Sequence, residues 1–137
     1  MYRIFCLLLI LIFFSCGKEK AGVQYLKPDT FIEKAGKYEL GTKQIWLKEF
    51  TDGTMVFEIG NNFNRETLYR QSMFRPFSKH HQWVMYIDKA ENIWCYNGDL
   101  QDHFVLFYNR GKEKYIEKDY VTQHIKLPKE FSQQLDQ

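Results

Sequence analysis

Between residues 83 and 108 the chain passes through three short segments that are apolar on both alternating faces, and no other stretch restricts the fold so tightly. In Trp83–Ile87, the side chains of Trp83, Met85 and Ile87 oppose those of Val84 and Tyr86; Ile93–Asn97 follows; in residues 103–108, Val105 and Phe107 oppose Phe104, Leu106 and Tyr108. Successive strand side chains point to opposite faces, so a strand that is apolar on both must be covered on both. Residues 89–92 and 98–102 separate the segments at hairpin distances, and residues 109–112 lead to a further strand at 114–117. The expected centre is an antiparallel meander inside a sandwich, or one packed beneath another element.

Upstream, residues 44–50 and 54–59 flank Asp52-Gly53, a hairpin turn in which glycine accepts the positive φ of a tight turn. Met55, Phe57 and Ile59 share one face of the second strand while Val56 and Glu58 share the other, the pattern of a half-buried strand. Residues 65–72 form a third, more polar strand. Alternation of Val121, Gln123 and Ile125 with Thr122, His124 and Lys126 predicts another near the end. Thr30 and Glu33 have capping-box spacing, with Gly36 placed to end a short helical turn. Pro128 suits the first position of a terminal helix that sets Phe131 and Leu135 on one face. Of the 24 Phe, Trp and Tyr residues, only four lie in the first fifteen positions, and aromatics favour strands and bury large areas. The fold expected is mainly β: a single small antiparallel meander, sandwich-like or barrel-like, with short helical turns near both ends.

The first sixteen residues decide where such a domain resides. Arg3 provides a positive charge, and residues 4–14 form an apolar run of eleven before Ser15-Cys16. A transmembrane helix needs about 20 residues; this run has the length of a signal-peptide core. The junction Phe13-Phe14-Ser15-Cys16 resembles the lipobox of bacterial lipoproteins, with Phe13 in place of the usual leucine. That resemblance implies diacylglycerol on the Cys16 thiol, cleavage before Cys16 and acylation of the new amino terminus. Several acyl chains, each burying ~0.8 kcal/mol per CH₂, make a lasting anchor. It also implies, from Gly17 in place of aspartate, the outer membrane, and from the lone acid in Lys18-Glu19-Lys20, its periplasmic face. An ordinary secretory signal cut near Ala21, or an uncleaved anchor, is the alternative. The resulting division is a signal peptide over 1–15, a lipidated Cys16 with a flexible tether over 16–28, and one globular domain over 29–137.

Charge and cysteine content narrow the function. Loss of residues 1–15 removes only Arg3 from the charged set, leaving 18 Lys and Arg against 17 Asp and Glu. Such a balance exerts no global pull on nucleic acid, so no nucleic-acid partner is expected. Cys6 leaves with the signal and Cys16 is acylated. Cys95 then has no partner, and the domain must hold without disulfides.

No catalytic set emerges, and neither a metal nor a cofactor is expected. Adjacent His80 and His81 point to opposite sides of an extended chain and lack zinc-type spacing. Cys95 and His103 invite a nucleophile and base reading if they share a face of neighbouring strands, but a lone cysteine in an apolar strand is ordinarily buried and inert. Ser72 and Ser78 lack the glycine-flanked elbow of a nucleophilic serine. Asp88, Glu91, Asp99 and Asp102 fall in turns without calcium-loop spacing, and Glu58 with Glu66 forms no specific acid–base signature.

The functional candidates lie in the loop of residues 73–82. Phe74, Arg75 and Phe77 combine aromatics with arginine, the composition of binding hot spots. Either Phe74 or Phe77 buries in a partner's cleft while Arg75 pairs a carboxylate there, or the rings fold inward and plug the sheet. A non-enzymatic, lipid-anchored binding module follows, held to the membrane through Cys16 and engaging an envelope protein, as an inhibitor or immunity-type protein against an envelope-acting toxin or hydrolase would. The alternatives are a small lipocalin-like carrier of an apolar ligand, or an assembly lipoprotein of an envelope or secretion machine.

Overall fold

A computed structural model describes residues 22–137. The expected signal peptide over 1–15 and the expected lipidation site Cys16 lie outside the described residues. Among the described residues eleven strands and one helix follow in chain order: β1 Val23–Tyr25, β2 Thr30–Ile32, β3 Gly36–Leu40, β4 Lys43–Glu49, β5 Thr54–Asn61, β6 Thr67–Arg70, β7 Phe77–Ser78, β8 Trp83–Ile87, β9 Ile93–Asn97, β10 Asp102–Asn109, β11 Lys114–Asp119 and α1 Lys129–Leu135. The first sheet runs β1-β3-β4-β5-β6, with β7 pairing the start of β5; the second runs β11-β10-β9-β8-β2. These are two open sheets, sandwich-like, in a mainly β domain.

The doubly apolar segments became the middle of the second sheet for the reason their pattern implied. Met85, Cys95 and Phe104 lie in one cross-strand row, and Tyr86, Trp94 and Val105 in the next. The first row faces the other sheet, where it meets Ile45, Leu47, Met55, Phe57, Ile59 and Phe77 in a single buried cluster. The second row faces outward and is roofed by Phe131 of α1 together with Tyr120. Each large side chain buried this way contributes about 1.5–3 kcal/mol. Phe57 is the hub: its ring stacks on Phe77 at 6.0 Å and on Phe104 at 6.5 Å, joining both sheets.

The Asp52-Gly53 hairpin forms as read. Asp52 Oδ1 accepts from the Thr54 N–H at 3.0 Å and from its hydroxyl at 2.7 Å, and Gly53 takes a φ of 84°. The terminal helix also forms, with Phe131 fully buried and Glu130 in its first turn, where a negative charge complements the helix dipole.

Three local readings are corrected. Val23–Tyr25, assigned to the flexible tether, is an edge strand pairing in parallel with β3 through Val23 and Lys37 to Tyr25 and Glu39. The expected helical turn after Thr30 is instead strand β2, antiparallel to β8; Ile32 enters the core and Phe31 packs on Tyr86 at 4.7 Å, burial that a solvent-side turn could not give. Residues 121–127 are turns and irregular chain rather than a strand. Asp119 Oδ1 accepts from the N–H groups of Val121 and Thr122, both at 2.9 Å, which bends the chain there and carries it to α1.

Candidate functional site

The loop between β6 and β8 divides its three candidates. Phe77 is fully buried, stacked between Phe57 and Trp83, so it belongs to the core and cannot enter a partner's cleft. Arg75 is spent within the molecule: its Nε and Nη2 donate to Asp102 at 2.7 and 2.8 Å, and its Nη1 to Glu117 at 2.7 Å. Those hydrogen bonds, the Asp102 pair first, hold the guanidinium pKa above its usual range. It is a brace between this loop and the second sheet, not a free cation for a partner's carboxylate. Phe74 alone is presented outward, 93 % exposed.

Phe74 is nevertheless not loose. Its N–H donates to Ser72 Oγ at 3.1 Å, and Arg75 N–H donates to Ser72 O at 3.1 Å. Buried Gln71 accepts from Phe57 N–H through Oε1 at 3.0 Å and donates through Nε2 to Arg75 O at 2.8 Å. The ring therefore stands on a turn fixed from both sides.

The other chemical candidates separate. Cys95 pairs with Phe104 across β9 and β10 while His103 pairs with Tyr96, so thiol and imidazole lie on opposite faces of the sheet. Burial pushes the Cys95 thiol pKa well up, away from thiolate chemistry. His81 Nδ1 sits 3.4 Å from Asp99. Asp88 is occupied by its own turn, accepting from Ala90 N–H at 2.8 Å, Asn92 N–H at 2.9 Å and Trp94 Nε1–H at 2.8 Å. Glu58 lies 3.4 Å from both Lys48 and Arg70. Glu66 lies at 4.0 Å from Lys114. Among the described residues no cluster of three or more His, Cys, Asp or Glu could hold a metal ion.

What the two sheets do with their outer faces is the informative contrast. Helix α1 covers the second sheet's outer row. The first sheet's outer face carries instead a cross-strand row Lys37, Trp46, Glu58, Arg70, in register over β3, β4, β5 and β6. Trp46 was not singled out from sequence. Its position was readable: with Ile45 and Leu47 pointing inward, alternation sends Trp46 outward. The ammonium groups of Lys48 and Lys37 rest over its ring at 3.9 and 4.5 Å from the centroid.

On one side of this row is a small apolar hollow of about 380 Å³, lined by Phe50, Val56, Met73 and the Lys48 and Arg70 side chains. Phe50 and Met73 are exposed while Val56 is buried at its floor. Met73, on the wall of the hollow, is followed directly in the chain by the projecting Phe74. On the other side is a larger, polar trough of about 700 Å³ that runs over Gly60 and is flanked by Trp46, Glu39, Gln44, Phe63 and Arg65. Glu58 borders both. No protein-family model, curated protein or solved structure matches the chain.

Proposed function

We propose that the protein is a non-catalytic binding module, lipid-anchored through Cys16 at the periplasmic side of the outer membrane, that captures an envelope protein as an inhibitor or immunity-type protein captures a toxin or hydrolase. The observation that carries this reading is Phe74, 93 % exposed on a fixed turn, directly following exposed Met73, which lines an apolar hollow with Phe50 and Val56. A rigid aromatic next to an apolar depression is the makeup of a hot spot: large contact area is gained with little ordering cost. Lys48 and Arg70 at the rim share the single carboxylate of Glu58, and the net positive charge left there favours an acidic partner. Arg75 contributes indirectly by bracing the turn that presents Phe74.

The space between the sheets, where a lipocalin-like carrier would hold its ligand, is filled by Phe57, Phe77, Phe104, Met55 and Met85. Capture at the surface is thus the better supported mode.

The test is affinity capture from the envelope of the native organism with the wild-type chain and with Phe74→Ala and Met73→Ala. A single stoichiometric toxin or hydrolase, retained by the wild type and lost from both variants, supports the proposal. Recovery of secretion or envelope-machine components alone would favour an assembly role.

A further inference from the structure

The polar trough has features that protein capture at Phe74 leaves unexplained. Phe63 is 83 % exposed, yet the turn that lifts it is held by an ordered set of bonds. Asn61 Oδ1 accepts from Phe63 N–H at 2.8 Å, Asn64 Oδ1 accepts from Glu66 N–H at 2.9 Å, and the N–H groups of Arg65 and Asn62 donate to Asn61 O and Thr42 O, both at 2.9 Å. A large apolar ring kept in water by a rigid turn contributes nothing to the core.

Gly60 is the second feature. It lies on the trough floor in register between Gln44 and Thr67. A Cβ there would meet only Glu66 O at 3.6 Å, an ordinary contact, so packing does not demand glycine. Glycine in a strand interior costs about 0.5–1 kcal/mol relative to alanine and marks a bulge or the close approach of a ligand; the register with β6 does shift between Ile59 and Gly60, yet that irregularity leaves room for a side chain. The missing side chain leaves the space between Trp46 and Phe63 open.

We propose that this trough binds a short linear oligosaccharide, with sugar rings laid against Trp46 and Phe63 and hydroxyls engaging Glu39, Gln44 and Arg65. Sugars join apolar C–H faces to hydroxyls that both donate and accept. The trough supplies matching parts: aromatic rings, a carboxylate acceptor, a guanidinium donor and an amide that does both. Its charges balance, Lys37 and Arg65 against Glu39 and Glu58, which suits an uncharged ligand and not a polyanion, whose binding needs net positive charge. A volume of about 700 Å³ falls in the range of small-ligand sites, roughly 300–1,000 Å³. A protein anchor wants a dry centre; the apolar hollow offers one and this wet trough does not. Stacking on Trp46 displaces one of the two lysine ammonium groups resting there, a rearrangement open to a long flexible side chain.

The site stands apart from Phe74, so the two proposals fail separately. The experiment titrates the full-length chain, purified in a detergent without a sugar headgroup, with N-acetylglucosamine tetramer, cellotetraose and maltotetraose. Intrinsic tryptophan fluorescence and calorimetry are the readouts, alongside co-sedimentation with purified peptidoglycan. Gly60→Val fills the trough and Phe63→Ala removes its outer ring; unchanged melting temperatures verify both folds, and Phe74→Ala is the control. The expected result is saturable binding of at least one of these glycans, weakened about tenfold or more, equivalent to 1.4 kcal/mol, by Gly60→Val and by Phe63→Ala but not by Phe74→Ala. Absence of saturable binding to all four, or binding indifferent to Gly60→Val, overturns the proposal. Loss of protein capture in Gly60→Val without any sugar binding also overturns it and assigns the trough to the protein partner.

Discussion

Arg75 grips Asp102 with two parallel hydrogen bonds, Nε to Oδ2 at 2.7 Å and Nη2 to Oδ1 at 2.8 Å, and so ties the loop that presents Phe74 to the start of β10. A planar fork matched to a carboxylate is a geometry that lysine cannot reproduce. Arg75→Ala is expected to cost about 1–3 kcal/mol, because it strips Asp102 and Glu117 of a charged donor. Arg75→Lys should recover less than half of that. Phe74→Ala should stay within about 0.5 kcal/mol of wild type, as a surface truncation does. Urea midpoints of the three variants check the ordering.

Phe77 carries the opposite expectation although it lies only three residues from Phe74. Its ring fills the core between Phe57 and Trp83, so Phe77→Ala should cost about 3–5 kcal/mol from lost burial and the cavity left behind. That is a large share of the 5–15 kcal/mol typical of a domain. A melting temperature near that of wild type would place the ring outside the core.

Alkaline pH should expose the tyrosines. Burial, reinforced by Glu117 at Tyr69 and by Asp29 at Tyr86, raises the pKa of Tyr69, Tyr86, Tyr115 and Tyr120 above the ordinary value. Their folded-state values exceed the unfolded value of about 10, so between the two the unfolded chain has released protons that the folded chain retains. Their contribution is fully present below pH ~10 and is lost as pH rises toward the folded values. Stability should fall steeply above pH ~10, with the phenolate absorbance of these four tyrosines appearing together with unfolding. Ionisation of these four in a chain still folded would contradict this.

The parts of the fold that follow from local pattern were legible in the sequence, and those set by distant pairing were not. β8 and β9 announced themselves because Val84, Tyr86 and Trp94 are as apolar as Met85, Ile87 and Cys95, which demanded cover on both faces. β1 could not be anticipated: the polar Gln24 and exposed Tyr25 give no strand signal, and the segment is fixed by parallel pairing with β3. Thr30 and Glu33 satisfy a helix-start rule that holds only where no strand edge competes, and β8 offered one. In residues 121–127 the alternation was genuine, but the Asp119 carboxylate turned the chain before a strand could form. At the candidate site, composition pointed to the loop yet could not say that Phe77 turns inward or that Arg75 is matched by Asp102, 27 residues further along the chain. Trp46 and Gly60 became meaningful only once four strands aligned their outer row.

Lys43 offers a last, less intuitive expectation. It is 3 % exposed, with Nζ 3.1 Å from Glu91 Oε2 and 3.9 Å from the centroid of the Tyr108 ring, so it links β4 of the first sheet to the β8–β9 turn and β10 of the second. Glu91 is the more exposed partner, and the two halves of the pair therefore respond differently to loss of the other. Glu91→Gln keeps the residue's volume but leaves a buried ammonium facing only neutral groups, and should cost about 1–3 kcal/mol. Lys43→Met removes the buried charge, retains contact with Tyr108 and Tyr115, and leaves a carboxylate that water can reach. Replacing a buried ion by a hydrophobe of similar volume is often neutral or stabilising, so this variant should unfold within about 1 kcal/mol of wild type or above it. Chemical denaturation of both variants and of the double mutant gives the coupling directly. A Lys43→Met variant less stable than Glu91→Gln would mean that the ion pair, and not the aromatic packing around it, holds this end of the sandwich together.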